Sequence, residues 1–454
     1  LSGGLRGRVT MFGLFTLTSA PEVRPMPHVR RPFLPSLVTT LIVTGLVFAG
    51  SAAVAAEDWF QWAGPDRDFT AKDTGLADGW PEDGPPVLWE REIGTGYAGV
   101  VTSKGRVFTG YRDGEQDVFV ALDAATGEQQ WEFRYDAPVH EGAVLQFGKG
   151  PNATPLVIGD RLITVSYEAL VHALDVRTGK LLWKIDLRAE HGAETLRFGH
   201  SSSPIAHDGN VVLMVGGKQV GAMAVDPKDG SIVWKGTPTS VSYAAPNRIE
   251  VGGRDQIVYF GATEAHGVDA ATGKLEWSHP IKNRYENNCT MALQGPDGTV
   301  WAVTQLDGGG RGLKLARSGE GTTVEEAWSN DRVKIHYWGA VPDGDMVIAS
   351  IGGDVTFYSG IDFATGEILW RERGFGQTNT IRAGDKLIIL EESGELALGE
   401  ASREGFELMS KFQMTDALAR TPPALVGTTL YVRDMEQIRA LDLSKSGSKR
   451  AVKP

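Results

Sequence analysis

The chain has 454 residues with 57 glycines, 12 tryptophans and 22 prolines, and 41% of it is hydrophobic against 22% charged, which supplies a core and excludes a disordered chain or a coiled coil. A formal net charge of −12 argues against nucleic acid as a partner, because a polyanionic backbone would be repelled. Cys289 is the single cysteine, so neither an intrachain disulfide nor a cysteine-based zinc site can form.

In chain order, the first feature is a leader. From Met26 the sequence reads MPHVRRPFLPSLVTTLIVTGLVFAGSAAVAAEDW, a basic start followed by an apolar stretch from Leu37 to Val54 and small residues at Ala53–Ala56. This is the order of a cleaved secretory signal, with cleavage after Ala55 or Ala56, and it implies a periplasmic or secreted protein without a stable membrane span. The apolar run is barely long enough for the competing reading, an uncleaved anchor. Arg30-Arg31-Pro32-Phe33-Leu34 resembles a twin-arginine export signal, and no cysteine stands near the cleavage region to carry a lipid. Residues 1–25 read as a mis-assigned upstream start. Residues 1–56 are therefore set apart, and 57–86, rich in Gly, Asp and Trp, are expected to pack on the ring described below through Trp59, Trp62 and Trp80.

A repeat then dominates the sequence. VALDAATGEQQW ends at Trp131, HALDVRTGKLLW at Trp183, MAVDPKDGSIVW at Trp234, HGVDAATGKLEW at Trp277 and SGIDFATGEILW at Trp370. Degenerate copies end at Trp328 and at Met409, and Trp89 stands in an isolated VLWEREI. The spacing of about 40–50 residues is that of propeller blades. In each copy an apolar half-strand leads to a D-x-x-T-G turn whose glycine takes a positive φ and whose aspartate caps the turn, and the tryptophan opens the outer strand. Trp89, Trp131, Trp183, Trp234, Trp277, Trp328 and Trp370 are expected to clamp each blade to its neighbour by covering a small Ala or Gly there. The alternative, that they stack a cofactor or sugar, is unnecessary once their fixed place in the repeat is recognised.

Seven units end at Met409, and the chain then holds three more strands to Leu443, whereas VLWEREI is an outer strand without its own inner three. The fragments complement one another. The predicted fold is all-β, an eight-bladed β-propeller of four-stranded antiparallel blades over 87–443, closed by an N-terminal strand, with a frayed tail at 444–454 and a monomer expected.

The A-x-D-x-x-T-G-x-x-x-W repeats resemble those of the pyrroloquinoline quinone (PQQ) repeat superfamily, which includes quinoprotein alcohol dehydrogenases and the BamB-type propellers of outer-membrane assembly. The resemblance covers Asp58 to Leu443 and implies the fold, while it specifies function poorly. An enzyme of this kind would need PQQ, a calcium ion and a carboxylate base, and its relatives carry a vicinal cysteine pair under the cofactor. Cys289 stands alone between Asn288 and Thr290, and no C-x-x-C-H haem site occurs. No catalytic or metal-ligating residue is assigned and no cofactor is expected, with PQQ and Ca2+ as the alternative. The expected role is non-catalytic binding of a protein segment or a small-molecule or carbohydrate ligand. Tyr97, Asn152, His200, Ser202, Tyr243, Asn288, His336 and Asn379, at or just before the expected innermost strands, are the candidate ligand-binding residues at the channel mouth. His140-Glu141 and His191 with Glu194 fall in two long connections, where solvated polar groups are the plainer reading.

Overall fold

The computed structural model describes residues 57–72, 75–240, 242–304 and 307–445, so the expected leader and residues 446–454 of the tail lie outside the described residues. The strands form eight sheets. Blade 1 spans Val101–Asp136, blade 2 Leu156–Asp186, blade 3 Ile205–Lys235, blade 4 Asn247–Pro280, blade 5 Leu293–Asn330, blade 6 Val341–Glu372 and blade 7 Thr378–Gln413. Blade 8 takes three strands from Ala424–Asp442, and Val87–Glu92 supplies the fourth, antiparallel to Gln437–Asp442. The chain is an eight-bladed propeller closed by its N-terminal strand, as its repeats require. Among the described residues the one α-helix is Leu187–His191.

The repeat explains how the blades are made and joined. Asp123 Oδ1 accepts the backbone N–H groups of Ala125 and Thr126, both at 3.0 Å, and Gly127 takes φ 73°. A Cβ on Gly127 would stand 2.6 Å from the Trp89 ring, so the turn glycine is also where the preceding blade's indole lies down. The Trp89 Nε1–H donates to Ala124 O at 3.0 Å in the same turn. Trp131, Trp183, Trp234, Trp328 and Trp370 repeat the bond to Val176, Pro227, Ala270, Phe363 and Ser402 of the following blade. The small residue covered on the neighbouring blade is its turn glycine, Gly179, Gly230, Gly273 and Gly366 lying against Trp131, Trp183, Trp234 and Trp328. Ala121, Ala173 and Gly360 are cross-strand partners of Trp131, Trp183 and Trp370 within the same blade, and the face covered on the neighbour is the turn. Trp277 departs from the pattern because blade 5 lacks the D-x-x-T-G turn. Its indole donates to Gln256 Oε1 at 2.7 Å, and Gln256 reaches Thr322 of blade 5 at 2.7 Å.

Residues 57–72 were expected on the ring and instead run inside it. Thr70–Ala71 add in parallel to Thr378–Ala383, the innermost strand of blade 7, on its free edge toward the axis. Trp59 N–H donates to Thr102 Oγ1 of blade 1 and Trp59 O accepts from Thr102 N, Phe60 O accepts from Val157 N of blade 2, and Gln61 Oε1 accepts from Ala206 N of blade 3. Arg67 donates to Pro204 O at 3.0 Å and Pro246 O at 2.6 Å, ahead of the innermost strands of blades 3 and 4. Phe69 lies against Gly339 at the start of blade 6. Asp58 accepts from Lys104 N, in the turn between the first two strands of blade 1, which places this plug toward the hairpin-turn face of the ring. The Arg67 guanidinium is buried with no ion pair to a carboxylate among the described residues, and burial lowers its pKa to about 9. Beyond the plug, Trp80 packs edge-on against Phe412 of blade 7, and Leu76 forms a bridge to Ser444.

Burial also makes the fold acid-sensitive in a defined window. His172 and His200 are both pushed down to about 4 by desolvation. In the unfolded chain they protonate near the ordinary histidine value, so their contribution is complete above about pH 6.5 and is lost as pH falls toward 4. Each should add up to about 1.4 kcal/mol per pH unit to the slope within that window. Urea midpoints measured from pH 7 to pH 4 should fall, and His200→Gln should flatten the slope. Equal slopes in the two proteins would show that His200 is not neutral in the fold.

Candidate functional site

The segments that lead into the innermost strands all reach the ring from one face, because each blade begins there and makes its first hairpin turn at the opposite face. We refer to this as the approach face. Seven of the eight candidate residues stand in these segments and Asn379 is the second residue of the innermost strand of blade 7, but four of the eight are interior joints. Ser202 donates to Ala244 O at 3.0 Å and Asn379 to Arg420 O at 3.1 Å, each tying one blade to the next. Asn288, fully buried, donates to Gly261 O and Ala262 O at 2.7 and 3.2 Å, and its own carbonyl accepts from Tyr243 N and Ala244 N. His200 is 3% exposed, with its backbone N–H on Tyr167 O and Nδ1 without a partner among the described residues. A ligand cannot reach these side chains without opening the blade joints. Asn152 keeps some exposure while donating to Phe198 O at 3.1 Å. Tyr97, Tyr243 and His336 remain half-buried at the mouth.

What the mouth presents is an aromatic cluster that the repeats do not announce. Phe147, from the connection between blades 1 and 2, lies 5.6 Å from the Phe198 ring and 6.1 Å from the Tyr337 ring. Phe198 continues to Tyr243 at 6.1 Å, and the His336 ring lies tilted against Tyr337 at 4.3 Å. The Arg420 guanidinium stands 5.3 Å over Phe147 and 5.8 Å over Tyr337 while its Nε holds Glu392 at 2.9 Å. Arg197 covers the other side of the group, 5.5 Å over Phe198. Phe147 thus bridges connections that belong to different parts of the ring, from blade 3 to blades 6 and 8. Tyr97, Tyr243, Tyr337 and Arg420 each stand four residues ahead of an innermost strand, at Val101, Asn247, Val341 and Ala424. That common offset was the available signal for Tyr337 and Arg420, and His336 is one position away from it. Phe147 and Phe198 lie in connections outside the repeat and carry no such mark.

Electrostatically the cluster is quiet. Burial raises the Tyr243 phenol to about 12 and the Cys289 thiol to about 12, so both stay protonated at neutral pH. Burial, helped by the nearby Arg420 charge, lowers the His336 imidazole and keeps it neutral. A protonated thiol is a poor nucleophile and a poor metal ligand. Among the described residues no group of three or more His, Cys, Asp or Glu side chains could hold a metal ion. Cys289 has no neighbouring cysteine, so the vicinal pair expected under a quinone cofactor has no counterpart here. Among the described residues no helix is long and apolar enough to cross a membrane.

An eight-bladed ring with this repeat defines a class of protein, and comparison with known proteins agrees. A PQQ-repeat family model described as outer membrane protein assembly factor BamB matches residues 81–237 and 143–355, more than half of the chain. The chain belongs to this PQQ-like repeat propeller family. It is 25% identical over 294 residues to the outer membrane protein assembly factor BamB of Yersinia pestis, covering 61% of this chain and 70% of that protein. It is 28% identical over 189 residues to the quinohemoprotein alcohol dehydrogenase ADH-IIG of Pseudomonas putida, but this covers 40% of the chain and 20% of the enzyme. Among solved structures, BamB of Moraxella catarrhalis superposes with a TM-score of 0.54 at 16% identity, over 78% of this chain and 96% of that one. A quinohemoprotein alcohol dehydrogenase of Comamonas testosteroni superposes with a TM-score of 0.55 at 12% identity, over 85% of this chain and 80% of the enzyme. At such identities the superpositions establish the fold alone.

Proposed function

We propose that this chain is an exported, non-catalytic binding module that captures a protein segment on its approach face. The observation that carries the reading is the Phe147–Tyr337–Arg420 cluster, since half-buried aromatic rings held by an arginine are the usual anchors of protein interfaces. Large apolar side chains on connections between blades are open to solvent: Leu145 and Leu418, on the connections that carry Phe147 and Arg420, are 40% and 46% exposed, and Tyr285, between blades 4 and 5, is 56% exposed. The chain's own residues 57–72 fill the axis from the hairpin-turn side, with the Arg67 side chain reaching as far as Pro204 and Pro246, and the aromatic cluster is what the approach face offers an incoming segment. The similarity to an assembly factor over 70% of its length favours the same reading.

The competing reading is a PQQ-dependent periplasmic oxidoreductase. It rests on the partial similarity to quinohemoprotein dehydrogenases, and the neutral, unpaired Cys289 weighs against it.

A photo-crosslinking amino acid placed at Leu145 or Leu418 should give a discrete protein adduct in the exporting cell, and one at Leu182, on the outer strand of blade 2, should not. Phe147→Ala with Tyr337→Ala should weaken the adduct's affinity by about tenfold or more. Adducts of equal yield from Leu182 would overturn the assignment of the face. Calcium- and quinone-dependent oxidation of an alcohol would overturn the non-catalytic reading.

A further inference from the structure

A second site lies on the outer side of the approach face, beside blade 2, and its centre is a carboxylate. Glu168 sits at the tip of the turn between the second and third strands of blade 2. The next residue, Ala169, takes φ 61°, a conformation that is uncommon outside glycine and is maintained here by Ala169 N–H on Ser166 O and Leu170 N–H on Ser166 Oγ. One oxygen of Glu168 accepts both the backbone N–H of His140 at 2.9 Å and its Nδ1 at 2.8 Å. The other accepts from Arg188 Nη1 on the helix Leu187–His191. Three connections remote in sequence therefore meet on one side chain.

This arrangement borders a cleft of about 710 Å3, within the range of small-molecule sites. Tyr135, Pro138, Val139 and Leu170 give it an apolar wall. The Tyr135 ring is fixed by packing on His172 at 4.4 Å and by its hydroxyl on Asp117 at 3.1 Å. With Nδ1 donating to Glu168, the His140 ring has Nε2 left for a ligand, and neither Nε2 nor the Arg188 Nε and Nη2 donors have partners among the described residues. Tyr167, 3% exposed, lines the same cleft with its hydroxyl unpartnered among the described residues.

The chemistry selects a ligand class by elimination. Asp136, Glu168 and Asp186 border the cleft against a single Arg188, which disfavours an anion. Each of these carboxylates is already engaged, Asp186 as the cap on Arg188 N and Ala189 N, Asp136 by Gln116 Nε2 and Glu168 by Arg188, which disfavours a cation, and the described residues offer no metal cluster. A neutral molecule with adjacent hydroxyl donors and acceptors on an apolar ring face satisfies what remains. We propose that this cleft binds a neutral saccharide, its hydroxyls hydrogen-bonding to His140 Nε2 and accepting from Arg188, with Glu168 positioning both. The site is separate from the aromatic mouth and does not depend on the protein partner proposed above.

The test uses the folded chain from Glu57 onward and saturation-transfer NMR with maltose, cellobiose, xylobiose and chitobiose, with spermidine and citrate as charged controls. At least one disaccharide should bind in the millimolar range. His140→Ala and Arg188→Ala should each weaken it by about tenfold, as expected for loss of a hydrogen bond to a polar ligand. Phe147→Ala should leave sugar binding unchanged, which separates this site from the protein-binding face. Should either cleft variant fold poorly, Thr195→Val, which changes an exposed hydroxyl on the cleft wall, gives an independent reading and should weaken the sugar measurably. Absence of binding by all four disaccharides, unchanged binding in the folded variants, or stronger binding of spermidine or citrate would overturn the proposal.

Discussion

A chain shortened to begin at Gly94 should be recovered as aggregate rather than as a folded ring. Such a chain loses Val87–Glu92 and thereby exposes the edge of Gln437–Asp442, whose backbone groups would then lack partners over five registered pairs. It also loses Trp89, 8% exposed, which covers the Gly127 turn and so joins blade 8 to blade 1. A chain beginning at Pro86 makes the informative comparison. It keeps the closing strand and forfeits the plug, including the buried Trp59 and Phe69. That chain should remain soluble, with a lowered thermal midpoint and an axis open from both faces. Size-exclusion chromatography and circular dichroism distinguish the outcomes. A monomeric, folded chain from Gly94 with an unchanged midpoint would refute closure by this strand.

Trp234→Ala should cost about 3–5 kcal/mol, the range for deleting a buried aromatic side chain where the surroundings cannot collapse. The ring is 6% exposed and donates to Ala270 O at 3.0 Å, and it stacks on Gly273 in the turn of blade 4. The turn cannot move inward because Asp269 and Thr272 lock its backbone. Trp370→Ala should cost clearly less, because that indole is only partly buried and its bond to Ser402 O is open to solvent. The reciprocal change, Gly273→Ala, places a Cβ 2.4 Å from Trp234 at a φ of 70° and should be destabilising for two reasons at once. Urea titrations of the three variants would order them. If Trp234→Ala and Trp370→Ala proved equally costly, burial between blades would not be the source of the tryptophan's contribution.

The parts of this protein legible in its sequence are those that local chemistry writes repeatedly. A D-x-x-T-G turn depends on residues within five positions of one another, and the tryptophan four residues on follows from the same hairpin, so the blades could be counted from these marks alone. The incomplete first and last units likewise implied closure, because an outer strand without inner partners and three strands without an outer one leave matching edges. The candidate site was legible only as far as it followed the same register. Tyr97 and Tyr243 keep the common offset ahead of the innermost strands, whereas Tyr337 was passed over for the adjacent His336. The buried roles of Ser202, Asn288 and Asn379 could not be read, since an amide or hydroxyl ahead of a strand looks the same whether it meets solvent or a neighbouring blade's carbonyl.

Only the closed ring decided the rest. The plug depends on contacts such as Arg67 to Pro204 and Pro246, separated by 137 and 179 residues, and no local pattern in 57–72 specifies them. Phe147 meets Tyr337 and Arg420 only because the connections of distant blades converge over one axis. His140, Glu168 and Arg188 are unremarkable loop residues until three connections stack beside blade 2 and one carboxylate holds two other side chains. Sequence by itself determined the repeated unit, the number of blades and the strand that closes them, because those follow from short-range turns and strand periodicity. Tertiary structure alone determined which face stays open and which polar groups remain free to bind, because both depend on what the completed ring brings together.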